Sequence, residues 1–366
     1  MKLTRISTEH LRVVQPAAGR IPLSGPKPVA ADAIDLILVH IETDAGLAGL
    51  GFTYLQGPGA DAVRGLIDNE LSLLLTGEDA HDVERLFTRA DSRFRPVGFG
   101  GFAARAYAAI DIALWDIKAK AAGVPLFKLL GNAKPAAPFF VSDIATLGRT
   151  AAEVVKLAKP FVKQGSMGVR VEVGSGDVRA DADRVREISD GLGEDASVSV
   201  AAEGRFDLGT AEALTHFFED IGIDWFEDPI PTADEIGYTK LANLAEIPLA
   251  IGSTFDSRER FFRVIRSGVV RTVRPDVCRL GGITPYLKIA AVAEAFQVAV
   301  SPVRLPEVGV HLACGLATVP HVDSVSWFTE LFTGGPSIEN GKLVPGTAPG
   351  LGLMLNETVA AKWRVQ

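Results

Sequence analysis

Arg170-Val171-Glu172 sets a guanidinium and a carboxylate two residues apart inside an apolar run, VRVEVG (169–174). Residues two apart on a strand point to one side, so Arg170 and Glu172 share a face. The next run, SVSVAAEG (197–204), ends Ala201-Ala202-Glu203, and the one after it, DWFEDP (224–229), carries Glu227. If these are neighbouring strands about 4.8 Å apart, and the second stays extended through its end, Glu172, Glu203 and Glu227 meet at one rim. Three carboxylates that close cannot all be ionised without a counter-charge. Three arrangements relieve them. Arg170 neutralises one or two through bidentate bonds; a divalent cation sits between them; or one glutamate keeps its proton and works as general acid or base. Asp276, two residues before Cys278, is a further candidate. Each has a plainer reading. Arg170 and Glu172 can be a structural ion pair, and Glu203 can favour a helix N-terminus. Asp276 can bond backbone, and Cys278 can be a small core residue. Asp228 is expected to point away from Glu227, and His311, in VGVHLACG, to pack in a helix.

The elements that hold these residues follow a rhythm. From Pro138, short apolar runs alternate with amphipathic segments: PFFVSD (138–143), the three above, then PLAIGS (248–253), RTVRPD (271–276), VAVSPV (298–303) and DSVSWF (323–328). Asp177–Gly191, Thr210–Ile221, Ser257–Ser267 and Thr284–Phe296 read as helices between them. Eight strands alternating with helices predict a parallel β/α barrel. A doubly wound sheet is the rival, but no G-x-G-x-x-G or G-x-x-x-x-G-K-[ST] is present, which disfavours its nucleotide-binding forms. The first third differs. Residues 1–15 and Ala33–Thr43 read as antiparallel strands, with a turn at Asp44-Ala45-Gly46, and residues 61–123 read as helices. The clearest is Ala103–Ala122, closed by Gly123 and Pro125. The Gly/Pro-rich tail from Gly334 is expected to run back over this first unit.

The chain has 366 residues and a net charge of −8. That length buries a core without disulfides or metal. An acidic balance argues against nucleic-acid and anionic-membrane partners. Cys278 and Cys314 are too few for a disulfide framework, which predicts a reducing, cytoplasmic setting. No segment reaches the roughly 18 apolar residues of a membrane span.

Taken together, AAIDIALWDIKAKAAGVPLFKLLG (108–131), GRFDLGTA (204–211), FEDPIP (226–231), RPDVCRLGGIT (274–284) and VPGTAPGLGL (344–353) resemble the enolase superfamily, in its mandelate racemase and muconate lactonizing enzyme branch. The resemblance covers nearly the whole chain. It implies a modified (β/α)7β barrel over about 131–333 with an α+β capping domain over 1–130, completed by residues 334–366. It also implies a homo-oligomer, and proton abstraction next to a carboxylate with Mg2+ stabilising the enolate. The family's capping loops read the substrate. Here they fall at about 20–28 and 52–59, so Arg20, Lys27 and Tyr54 are the implied contacts.

Against that pattern the chain departs at most chemical positions. The family's Lys-x-Lys is Arg170-Val171-Glu172. Of three acidic metal ligands, Glu227 remains, while Ala201 and Ser253 replace the others. Asp276 remains, but its histidine partner is Val303, and the last strand's glutamate aligns with Ser326, Glu330 being nearby. Alanine and serine cannot supply the carboxylates Mg2+ prefers. The expectation is therefore no Mg2+ at the usual position, with Glu172, Glu203 and Glu227 as an alternative rebuilt trio for a divalent cation. The predicted function is an isomerase or lyase acting on a small carboxylate, such as a sugar acid, hydroxy acid or lactone. In it Arg170 stabilises charge and Glu172 or Glu203 moves the proton. The alternative is a non-catalytic relative that binds a small acid or a protein partner.

Overall fold

A computed structural model describes residues 1–14, 21–23, 29–31 and 33–365. Three long strands, β1 (Leu3–Val14), β2 (Ala33–Thr43) and β3 (Ala48–Leu55), form an antiparallel sheet in that order. Against β3 lies α1 (Phe102–Ala121), an alanine-rich helix buried on nearly every side. A helix apolar all round must be covered all round, and small residues allow it. A Cβ at Gly51 would lie 1.9 Å from the Ala109 carbonyl oxygen, so only glycine lets β3 approach this closely.

The remainder is an eight-stranded parallel sheet curled into a barrel. Its strands are β4 (Phe139–Val141), β5 (Gly168–Glu172), β6 (Ser197–Ala201), β7 (Phe226–Glu227), β8 (Leu249–Ile251), β9 (Thr272–Val273), β10 (Ala299–Val300) and β11 (Val322–Ser324). The order runs β10-β9-β8-β7-β6-β5-β4-β11. Between its two ends, the Asp323 amide donates to the Pro302 carbonyl at 3.4 Å. Each strand but the last feeds a helix on the outside, and caps help set where those helices begin. Asp177 accepts from the Arg179 and Ala180 amides, so its helix runs Val178–Leu192.

Two buried aspartates on α1 fasten the parts. Asp116 accepts from the Leu50 amide (2.9 Å) and the Leu351 amide (2.7 Å), tying sheet, helix and C-terminal tail. Asp111 accepts from the Thr284 amide (2.8 Å) and hydroxyl (2.6 Å) on a barrel helix, Ile283–Ala295. A side chain at Gly282 would strike Asp111, so the second glycine of LGGIT is required by this docking. No helix among the described residues is long and apolar enough to cross a membrane. Cys278 and Cys314 are free thiols, both buried.

Candidate active site

The strands end at one mouth, facing β3 and the start of α1. Register puts Glu172 opposite Ala201, and Ala201 opposite Glu227. The small residue between two glutamates leaves room for a long side chain, and Arg170 fills it. Its guanidinium reaches past β6 and grips Glu227 with two bonds, Nε to Oε2 at 2.8 Å and Nη2 to Oε1 at 3.1 Å. Arg274 Nε lies 2.9 Å from the same Oε2, while its Nη2 donates to Asp323 at 2.5 Å and its Nη1 to Ser301 at 2.9 Å. Burial pushes the Glu227 carboxyl up, but Arg170 and Arg274 outweigh it and hold it at about 2. Of the three arrangements open from sequence, the arginine therefore settles on Glu227.

Glu172 is left without that partner. It is 5% exposed, and its Oε2 is buried with no hydrogen-bond partner among the described residues. Burial, and then the neighbouring Glu203 charge, raise its carboxyl from 4.5 to about 7, against the pull of Arg170, Arg205 and Arg304. Glu203 reaches the mouth differently from the expectation. Strand β6 stops at Ala201, and Glu203 takes a left-handed turn (φ 51) instead of continuing extended. It does not cap the next helix, where Asp207 stands; its carboxylate pairs with Arg205 at 2.9 Å.

Asp276 is fully buried and engaged. Tyr54 Oη donates to its Oδ2 at 2.5 Å, and the Cys278 amide donates to Oδ1 at 2.8 Å. It caps a one-turn helix, Val277–Leu280, so the backbone bond expected from sequence is present beside the Tyr54 bond. Tyr54 sits behind the mouth at 1% exposure; its successors Leu55, Gln56, Gly57 and Pro58 line the cavity in its place. Arg20 and Lys27 lie outside the described residues. Ser326 donates its hydroxyl to Asp143 at 2.6 Å and is exposed, as is Glu330; Asp323 is the acid that β11 brings to the mouth.

Three guanidiniums at the mouth were not singled out from sequence: Arg105, Arg279 and Arg304. All line a cavity of about 380 Å³, together with Arg170, Glu172, Glu203 and Glu227. Arg304 stands one residue past Val303, in a left-handed conformation (φ 70) that a non-glycine residue holds at a cost. Its contacts are long: 3.4 Å to the Ser253 carbonyl, 3.6 Å to Asp276 and 3.8 Å to Glu203. Donors this loosely engaged can turn to a ligand. Leu55, Phe102, Val325 and Trp327 form the apolar part of the wall.

Residues 12–131 match the family described as mandelate racemase / muconate lactonizing enzyme, N-terminal domain, and residues 153–359 match the enolase C-terminal domain-like family. The chain belongs to the mandelate racemase and muconate lactonizing enzyme branch of the enolase superfamily. It is 29% identical to the L-talarate/galactarate dehydratase of Salmonella typhimurium, over 98% of this chain and 89% of that one. It is 30% identical to the 3,6-anhydro-alpha-L-galactonate cycloisomerase of Streptomyces coelicolor, over 87% of this chain and 86% of that one. A racemase from Streptomyces coelicolor A3(2), solved with bound magnesium, superposes with a TM-score of 0.93 at 27% identity, covering 99% of this chain and 100% of that one. This member of the superfamily is an enzyme.

The magnesium-bound racemase corrects one expectation. A chain of this fold along its full length carries the cation, which overturns a metal-free usual position inferred from Ala201 and Ser253 alone. The donors present in this superfamily member are nonetheless specific. Glu227 has both oxygens on Arg170, Ser253 donates its hydroxyl to Asp228 at 2.8 Å, and Ala201 offers a methyl group. Among the described residues no three His, Cys, Asp or Glu side chains are grouped to hold a metal, so the trio of Glu172, Glu203 and Glu227 is not assembled as one. Glu227, the one retained acidic ligand position, is held by Arg170 and Arg274, and no step below is routed through a metal.

Proposed function

We propose that this enzyme transfers a proton next to the carboxylate of a sugar acid, with a lyase or isomerase outcome, using Glu172 as acid and base. The observation that carries the reading is Glu172 itself, a buried carboxyl with an unpartnered oxygen at a cavity that Arg304 also lines. A carboxyl near 7 is populated in both forms at neutral pH, which suits a group that must take a proton and give one back. Ionised Glu172 removes the proton from the carbon beside the substrate carboxylate. The electron pair moves onto the carboxylate oxygens, where Arg304 offers a fixed fork of donors. In the lyase outcome the pair returns to expel the hydroxyl of the next carbon, which takes the proton from Glu172 and leaves as water. In the isomerase outcome the pair instead expels a ring oxygen bonded to the next carbon, which takes the proton from Glu172 and stays in the molecule as a hydroxyl, so the formula is unchanged. Arg170 acts one step back, by keeping Glu227 ionised and fixing the rim. The dehydratase and cycloisomerase names of the relatives support the substrate class.

The test does not require knowing the product. A panel of sugar acids is incubated with enzyme in D2O, with and without added Mg2+, and deuterium at the carbon beside the carboxylate is read by NMR. Exchange by the native chain, lost in Glu172→Gln, is the expected result. A folded native chain that exchanges no member of the panel, with or without Mg2+, sinks the reading.

A further inference from the structure

Three guanidiniums at the mouth come from three elements: Arg105 from α1, Arg279 from the one-turn helix Val277–Leu280, and Arg304 from the segment after β10. Arg304 and Arg279 share one carboxylate, Asp276, at 3.6 Å and 3.7 Å. Glu203, 3.8 Å from Arg304, already has Arg205 at 2.9 Å, and Glu172 lies in the field of Arg170, Arg205 and Arg304. Arg105 donates to the Tyr54 carbonyl at 2.6 Å and packs over that ring, but forms no ion pair among the described residues. Arg279 Nε is buried with no hydrogen-bond partner. Burial, then the nearby charges of Arg105 and Arg304, weaken its hold on its proton. Among the described residues Arg105 thus has no carboxylate of its own, and Arg279 has only Asp276, at 3.7 Å and shared with Arg304. A substrate with a single carboxylate, held by Arg304, leaves Arg105 and Arg279 without a close anion.

We propose that Arg105 and Arg279 form a second anion subsite, so that the substrate is a dianion: a sugar acid whose far end carries a carboxylate or a phosphate. This rests on the sugar-acid reading above, with Arg304 holding the reacting carboxylate. A guanidinium fork suits either oxyanion. Arg105 is the specificity-determining residue, because it alone of the three stands on the capping helix and not on the barrel.

The experiment compares three ligands with one carbon skeleton: gluconate, glucarate and phosphogluconate. Affinities are measured by calorimetry for the native chain and for Arg105→Gln, Arg105→Lys and Arg279→Gln. A dianion is expected to bind the native chain at least about tenfold more tightly than gluconate. Arg105→Gln and Arg279→Gln bring that ratio near one, and Arg105→Lys keeps part of it. A merely structural role would lower all three affinities together and leave the ratio intact, which overturns the subsite. Preference for glucarate or for phosphogluconate identifies the distal group as carboxylate or phosphate. Equal binding of gluconate and both dianions by the native chain rejects the subsite while the sugar-acid reading stands. No binding of any of the three by folded protein rejects both. Melting curves accompany each variant, and Arg279→Gln carries the test if Arg105→Gln does not fold.

Discussion

Asp111, at the joint between α1 and the barrel, and Glu172, at the mouth, are both buried acids whose carboxyls are raised to about 7, burial being the largest cause in each. Their surroundings differ. Both oxygens of Asp111 accept bonds from Thr284, and Trp115 donates to the same hydroxyl at 2.9 Å. Glu172 Oε2 accepts nothing, and Glu172 lines a cavity. A raised carboxyl therefore does not by itself mark chemistry. What separates a fastening from a reactive group is whether its hydrogen bonds are already complete, and whether a ligand can reach it.

The sharpest test of that contrast is Glu172→Gln. It keeps the shape and removes the titration, so it is expected to lower turnover by about 10²–10⁴-fold without lowering the melting temperature. A variant that retains native kcat breaks the distinction. Next is Arg170→Met, which strips Glu227 of its bidentate partner while Arg274 remains. Breaking one side of a buried pair costs about 3–5 kcal/mol, read from urea unfolding.

The third test is pH. Glu172 holds its proton in the folded state to higher pH than in the unfolded chain. Its contribution to stability is complete below about 4.5 and lost as pH rises through about 7. That span corresponds to roughly 3 kcal/mol. Asp111, Asp228 and Glu307 are raised in the same direction, so the native chain is expected to lose stability between pH 5 and 8, and Glu172→Gln to flatten part of that slope. Glu227 runs the other way, contributing above its ordinary value and losing that contribution as pH falls toward about 2. The smallest effect is expected from Asp111→Ala. It leaves the Thr284 amide without its acceptor, costing about 1–3 kcal/mol, with turnover per folded molecule unchanged. Loss of turnover there would show that the joint and the mouth are not separate.

Periodicity made the architecture readable, because barrel strands and amphipathic helices repeat with different periods. Thr210–Ile221 read from sequence is Leu208–Ile221 in the structure, the start moved to where Asp207 caps it. DWFEDP shrinks to Phe226–Glu227 because Asp228 turns left-handed (φ 42) to accept from Ser253 and the Gly252 amide. The site was less legible. Rim geometry brought Arg170, Glu172, Glu203 and Glu227 together in advance. It could not say which glutamate Arg170 would choose, since that depends on Ala201 leaving room. Tyr54 and Asp276 meet across 222 positions, which no spacing reveals. Arg304 was overshadowed by Val303, its neighbour at the expected histidine position. Arg105 was hidden inside an alanine-rich stretch that reads as core. A search for cations just beyond each strand end would have found the first, and only the fold places the second.

The helix α1 carries Arg105 near its start and both fastening aspartates further along. Recognition and assembly thus share one rigid rod. Grafting the N-terminal unit of a relative onto this barrel would transplant its ligand preference as well, and recombination between such enzymes would trade specificity in whole blocks.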